Sequence, residues 1–93
     1  MSDAQTYELV VTPPAARAIA EQLPEAVATA VIEFVTGTLL REPHRVGKPL
    51  RRELAGVWSA RRGTYRILYR INEEKREIVV LRIEHRGDVY RPH

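Results

Sequence analysis

The sequence predicts an α+β domain of two layers, with a helical hairpin laid on a mostly antiparallel sheet. Three observations carry this. The C-terminal half holds three strand-like segments joined by short polar turns. Residues 15–40 hold two helical-period segments that meet at Pro24. A short β-branched run, YELVVT at 7–12, opens the regular structure. Consecutive strands with short links pair antiparallel, and the helices must cover one sheet face to bury it. The expected order is an N-terminal strand, a helical hairpin and a three-stranded antiparallel meander (β-α-α-β-β-β). A chain of 93 residues is expected to form one domain, residues 1–93, with a modest core.

Each element has its own warrant. Tyr7 to Thr12 is apolar and β-branched, as a strand requires. Pro13-Pro14 ends it and can also start a helix, because proline is tolerated in a first helical turn. Residues 15–23 (AARAIAEQL) place Ala16, Ile19, Ala20 and Leu23 on one helical face. Pro24 interrupts the period. It resumes from Glu25 to about Leu40, with Val27, Ala30, Val31, Phe34 and Thr38 on one stripe. Residues 41–55 (REPHRVGKPLRRELA) have no clean period and are expected to form a loop with room for a short turn. Val57 to Arg61 follows as a strand, and Arg62-Gly63 is the turn. Thr64 to Ile71 (TYRILYRI) alternates, with Tyr65, Ile67, Tyr69 and Ile71 on one face and Arg66, Leu68 and Arg70 on the other. Asn72 to Lys75 is a polar turn, Arg76 to Glu84 the last strand, and residues 85–90 a terminal loop or single helical turn.

Composition narrows the chemistry. There is no cysteine, which excludes disulfides, thiolate zinc sites and thiol redox chemistry and fits a reducing cytoplasm, the expected location. No apolar run approaches the roughly 20 residues of a membrane helix, and no signal sequence opens the chain, so no membrane partner is expected. The formal net charge of +3 hides an asymmetry. Residues 1–40 hold one base (Arg17) against five acids, whereas residues 41–93 hold fourteen bases against seven acids. Thirteen of the fifteen bases are arginine. A basic half points to a polyanion or an acidic protein partner. An arginine-rich coding bias with an ordinary solvated surface accounts for the same numbers.

The basic positions form a pattern. Arg66 and Arg70 project from one strand face about 13 Å apart, too far for one phosphate but suited to a phosphodiester backbone. Ion pairs with glutamates on a neighbouring strand, such as Glu77, are the plainer alternative. Arg61 and Arg62 sit at a turn, and Lys48, Arg51 and Arg52 lie in the preceding loop, so all five bracket the Arg66 strand. Trp58 and Tyr65 are candidates for base stacking or for the core, and Tyr65 belongs to the core by its face. His44, His85 and His93 match no metal spacing. No P-loop, GxGxxG or Ser-His-Asp pattern occurs. No metal and no cofactor is therefore expected. His85 is a candidate general acid or base, since histidine titrates near neutrality, or simply a surface residue.

Residues 45–71 (RVGKPLRRELAGVWSARRGTYRILYRI), followed by IEHRGDVYR at 83–91, resemble the RelE/ParE toxin superfamily. The element order matches too, and the RelE branch is the nearer one. The resemblance implies a toxin of a type II toxin–antitoxin system. It would be a ribosome-dependent endoribonuclease that cleaves messenger RNA in the ribosomal A site. A cognate, RelB-like antitoxin would neutralise it in a heterodimer that builds a higher-order complex. Position by position, it implies Arg66 and Arg86 as the clamp on the scissile phosphate, Tyr90 as a base-stacking residue and Arg61 as a further strand arginine. His85 is the candidate proton-transfer group, with Glu53 the weaker alternative. Lys48, Arg51, Arg52, Arg62 and Arg70 would contact RNA or ribosome. The chain departs from the family in two ways. Val57 and Ser59 stand where some members carry lysines, and GKPL has no acid where others carry one. The alternatives are a ParE-type gyrase-inhibiting toxin and a catalytically inactive toxin-fold partner of an antitoxin.

Overall fold

The structure, a computed structural model, describes residues 6–85. Its sheet has five strands in the order β1-β5-β4-β3-β2. They are β1 (Glu8–Val11), β2 (Lys48–Pro49), β3 (Trp58–Arg62), β4 (Tyr65–Asn72) and β5 (Glu77–His85). The antiparallel meander β3-β4-β5 is as expected. β1 lies parallel to β5, with Leu9 opposite Ile78 and Val11 opposite Val80. β2 is a two-residue edge strand on β3 inside the segment expected to be loop. Two residues are too short for any periodicity to reveal.

The helical layer begins where the prolines stand. α1 (Pro13–Arg17) carries Pro13 and Pro14 in its first turn, where a missing N–H costs nothing. It runs on into a π-helical turn, Ala18–Gln22, in which the Leu23 N–H donates to the Ala18 carbonyl at 2.9 Å. This wider turn rotates the inward face from the one expected. Ala15 and Ala18 are buried with Ile19 and Leu23 against them, while Ala16 and Ala20 are exposed. After Pro24, α2 (Glu25–Thr36) buries Val31, Phe34 and Val35. The expected run to Leu40 is broken at Gly37, where a Cβ would stand 2.9 Å from the Glu33 carbonyl oxygen. The chain restarts as α3 (Thr38–Arg41) and α4 (Pro43–Val46).

The core lies between these helices and one sheet face. Val31, Phe34, Val35, Leu39 and Leu40 meet Ala60, Tyr65, Ile67, Tyr69, Ile78, Val80 and Ile83. Tyr69 is fully buried and donates its hydroxyl to the Pro43 carbonyl at 2.6 Å. Burial pushes its phenol up to about 12. Gly47 of the GKPL segment packs on that hydroxyl so closely that a Cβ would collide with Tyr69 Oη. The glycine thus lets β2 reach the sheet edge.

One irregularity decides which side chains reach the open face. Leu68 pairs with Arg82 but Tyr69 pairs with Val80, so Leu81 is an extra residue in β5. A bulge shifts the alternation by one. Ile78 and Val80 point to the core, and beyond the bulge Ile83 does so too. Without the bulge, strict alternation from Ile78 would turn Arg82 and Glu84 inward. With it, both emerge on the face away from the helices.

Candidate functional site

Two cross-strand rows on that open face gather the basic residues. Directly opposed residues in antiparallel strands share a face, with Cβ atoms about 5 Å apart. Arg61 of β3 opposes Arg66 of β4, which opposes Glu84 of β5. In the adjoining row Lys48 of β2 opposes Ser59, Ser59 opposes Leu68, and Leu68 opposes Arg82. The patch therefore holds four cations, Lys48, Arg61, Arg66 and Arg82, and one carboxylate, Glu84. Arg66 donates from Nε to Glu84 Oε1 at 3.1 Å, and its Nη2 donates to the same oxygen. Arg82 Nε stands 4.0 Å from Glu84 Oε2. Glu84, not Glu77, is thus the partner of Arg66. Glu77 faces Asn72 and Glu8 at the other end of the strand.

The remaining sequence candidates divide by face. Arg70 is exposed on the same face as Arg66 but four residues further along β4. Its Nη1 would stand 3.0 Å from a Cβ on Gly56, so its guanidinium lies against the 50–56 loop. Arg51 and Arg52 are exposed in that loop, and Glu53 lies in its 3-10 turn (Arg52–Leu54), so none belongs to the two rows. Arg62 opposes Tyr65 and therefore sits on the helix side, its guanidinium 4.6 Å from the centre of the Phe34 ring. This corrects the grouping of Arg61 with Arg62. Neighbours along a strand point to opposite faces, and only Arg61 joins Arg66.

His85 also falls on the helix side. It opposes the buried Tyr65, and its Nε2 lies 3.1 Å from Thr64 Oγ1. It lines a cleft of about 590 Å³ with Pro14, Arg17, Ala18 and Ile83, and Leu81, Arg82 and Glu84 border the same cleft along β5. The sheet thus does not bring His85 to the guanidinium of Arg66. Trp58 opposes Tyr69 on the same inner side, stacked at 6.4 Å between ring centres and edge-on to His44 at 5.4 Å, so it is packing rather than a platform for bases. Arg86 and Tyr90 lie outside the described residues.

The sequence reading missed Arg82 and Glu84. Their mark was present in REIVVLRIE, where the spacing of inward apolar residues changes from two (Ile78, Val80) to three (Val80, Ile83). Among the described residues no group of three or more His, Cys, Asp or Glu is placed to hold a metal ion. No described helix is long and apolar enough to cross a membrane.

Known proteins share both sequence and fold. Residues 9–90 match the family model described as the ParE toxin of the type II toxin–antitoxin system parDE. Toxin RelG of Mycobacterium tuberculosis is 60% identical over 76 residues, covering 82% of this chain and 87% of that protein. Toxin RelE of the same organism is 46% identical over 91 residues, covering 98% and 93%. A chain in the crystal structure of the toxin–antitoxin complex RelBE2 from M. tuberculosis superposes with a TM-score of 0.84 at 56% identity, covering 87% of this chain and 99% of that one. The expected α+β order and the RelE resemblance both hold. The chain belongs to the ParE-toxin family and is a RelE-like toxin of a type II toxin–antitoxin system.

Proposed function

We propose that this toxin is an endoribonuclease that cleaves messenger RNA in the ribosomal A site and so stops translation. The observation that carries the reading is the direct opposition of Arg61 and Arg66 on an open sheet face. Like charges placed directly across a sheet are destabilising. Glu84 offsets one of them, and Arg82 and Lys48 add positive charge beside them. Such a surplus suits an anion that arrives from outside, and arginine's planar fork suits phosphate.

Cleavage by the RNA's own 2′-hydroxyl needs four things: loss of the hydroxyl proton, in-line geometry, stabilisation of a dianionic phosphorane and protonation of the leaving 5′-oxygen. Arg66 and Arg61 serve the third task, as donors aimed at developing charge. Guanidinium groups stay charged and transfer protons poorly. The in-line geometry then falls largely to the ribosome, which explains how so small a chain suffices. Arg86 as second clamp residue and Tyr90 as stacking residue stand on the family resemblance. Arg70, Arg51 and Arg52 extend the positive surface towards flanking phosphates or ribosomal RNA. His85, on the other face, has no part in the clamp.

The partner in this reading is a RelB-like antitoxin, as in the RelBE2 complex of the M. tuberculosis relative. An acidic segment covering the two rows would block them sterically and electrostatically. The setting of both is the cytoplasm.

Induction in a host cell followed by primer extension on a translated message tests the activity. The reading expects cuts phased with codons that vanish when translation is blocked. Intact messages with induced DNA damage would replace it with gyrase inhibition, and intact messages without damage with an inactive toxin fold.

A further inference from the structure

We propose that Glu84 is a positioning residue of this site, one that fixes the Arg66 guanidinium for phosphate. The proposal rests on the nuclease reading above. Glu84 is the single carboxylate in the two rows, and its oxygens are divided between two arginines. Oε1 takes Nε and Nη2 of Arg66, while Oε2 faces Arg82 Nε at 4.0 Å. An arginine has five N–H donors in a rigid fork. The Nε edge of Arg66 is spent on Glu84. Among the described residues, both Nη1 hydrogens and the second Nη2 hydrogen take no partner, so a donor pair is left for a phosphate. Glu84 also separates Arg66 from Arg82 and so lets two cations flank one point.

The pair is ill-suited to a purely stabilising role. The side chains of Arg66 and Glu84 keep 39% and 32% of their surface exposed, and ion pairs this wet add little to stability. Their value lies in geometry. The pair is built only because the Leu81 bulge turns Glu84 outward, opposite Arg66. Misplacing a catalytic group by about 1 Å slows a reaction by up to roughly a hundredfold.

The test is a double-mutant cycle read by single-turnover cleavage of messenger RNA on programmed ribosomes, with purified full-length toxin. Glu84→Ala is expected to slow cleavage by roughly ten- to a hundredfold while its melting temperature stays near that of the wild type. Glu84→Gln keeps an acceptor for Arg66 and is expected to recover most of the rate. In the Arg66→Ala background, Glu84→Ala is expected to have no further effect, because nothing is left to position. A full-rate Glu84→Ala beside a slow Arg66→Ala would overturn the positioning role and leave the nuclease reading standing. So would Glu84→Gln as slow as Glu84→Ala, or effects that multiply in the double variant. A wild-type toxin that leaves programmed ribosomes uncut would remove the nuclease reading, and this role with it.

Discussion

Arg66→Ala separates the chemistry of the open face from the stability of the fold. Arg66 is a half-exposed strand residue whose backbone pairing does not depend on its side chain. Its ion pair with Glu84 is 39% and 32% exposed at the two side chains. Discounted for solvent screening, its loss costs about 0.5–1 kcal/mol. In a domain of this size each kcal/mol lowers the melting temperature by roughly 4–8 °C, so the variant melts only a few degrees below the wild type. If Arg66 clamps the scissile phosphate as proposed, the expected catalytic loss is of another order. Removing a donor that stabilises transition-state charge typically costs a factor of about 10²–10³ in rate. The assay pairs thermal denaturation with single-turnover cleavage on ribosomes stalled with a defined A-site codon. Cleavage within about threefold of the wild type (roughly 0.6 kcal/mol) would refute the clamp. So would a rate loss explained by unfolding at the assay temperature.

Four other substitutions test the account. Arg61→Ala is expected to reduce cleavage by roughly tenfold or more, whereas Arg62→Ala, which loses its contact with Phe34, costs about 0.5–1 kcal/mol of stability and leaves the cleavage rate near wild type; equal rate losses would contradict the division of the two by face. Gly47→Ala places a Cβ against Tyr69 Oη and 3.0 Å from the Ser59 carbonyl and is expected to cost about 1–3 kcal/mol in urea unfolding, and an unchanged midpoint would show that β2 docks otherwise. The Tyr69 phenol, raised by burial from 10.0 to about 12, holds its proton where the unfolded chain releases it; its share of stability is whole below pH 10 and falls between pH 10 and 12 by up to about 2–3 kcal/mol, with Tyr7 and Tyr65 raised in the same direction by burial first. Tyr69→Phe is expected to flatten that alkaline loss in urea titrations, at a cost near pH 7 of about 1–3 kcal/mol for the unsatisfied Pro43 carbonyl.

How far the sequence could be read depended on the range of the interactions. β4 was legible because TYRILYRI alternates over eight residues, and Tyr65, Ile67 and Tyr69 are buried as that alternation requires. The break at Pro24 was legible because proline acts locally. The inward face of the first helix was not, since a π turn shifts the period and nothing in AARAIAEQL announces it. β2 was hidden because Lys48 and Pro49 form a strand only through β3 and the tight fit of Gly47 on Tyr69. In the site, Arg61 and Arg66 were legible from strand and motif, but the exclusion of Arg62 needed the register of β3 on β4. His85 looked suited to proton transfer by its chemistry, yet the parity set by Leu81 carries it to the helix side. Arg82 and Glu84 were present in the sequence as ordinary strand charges, and only the bulge shows that both join Arg66.

The central claim is that the open face cuts messenger RNA held by the ribosome. Its most direct test is to incubate purified toxin with one radiolabelled message, either free or bound to ribosomes with a defined, vacant A site, and to map the products at nucleotide resolution. The account predicts a single cut within the A-site codon on the ribosome, little cleavage of the free message, and loss of the cut in Arg66→Ala. Equal cleavage of free and ribosome-bound RNA, or an intact message in both, would contradict it.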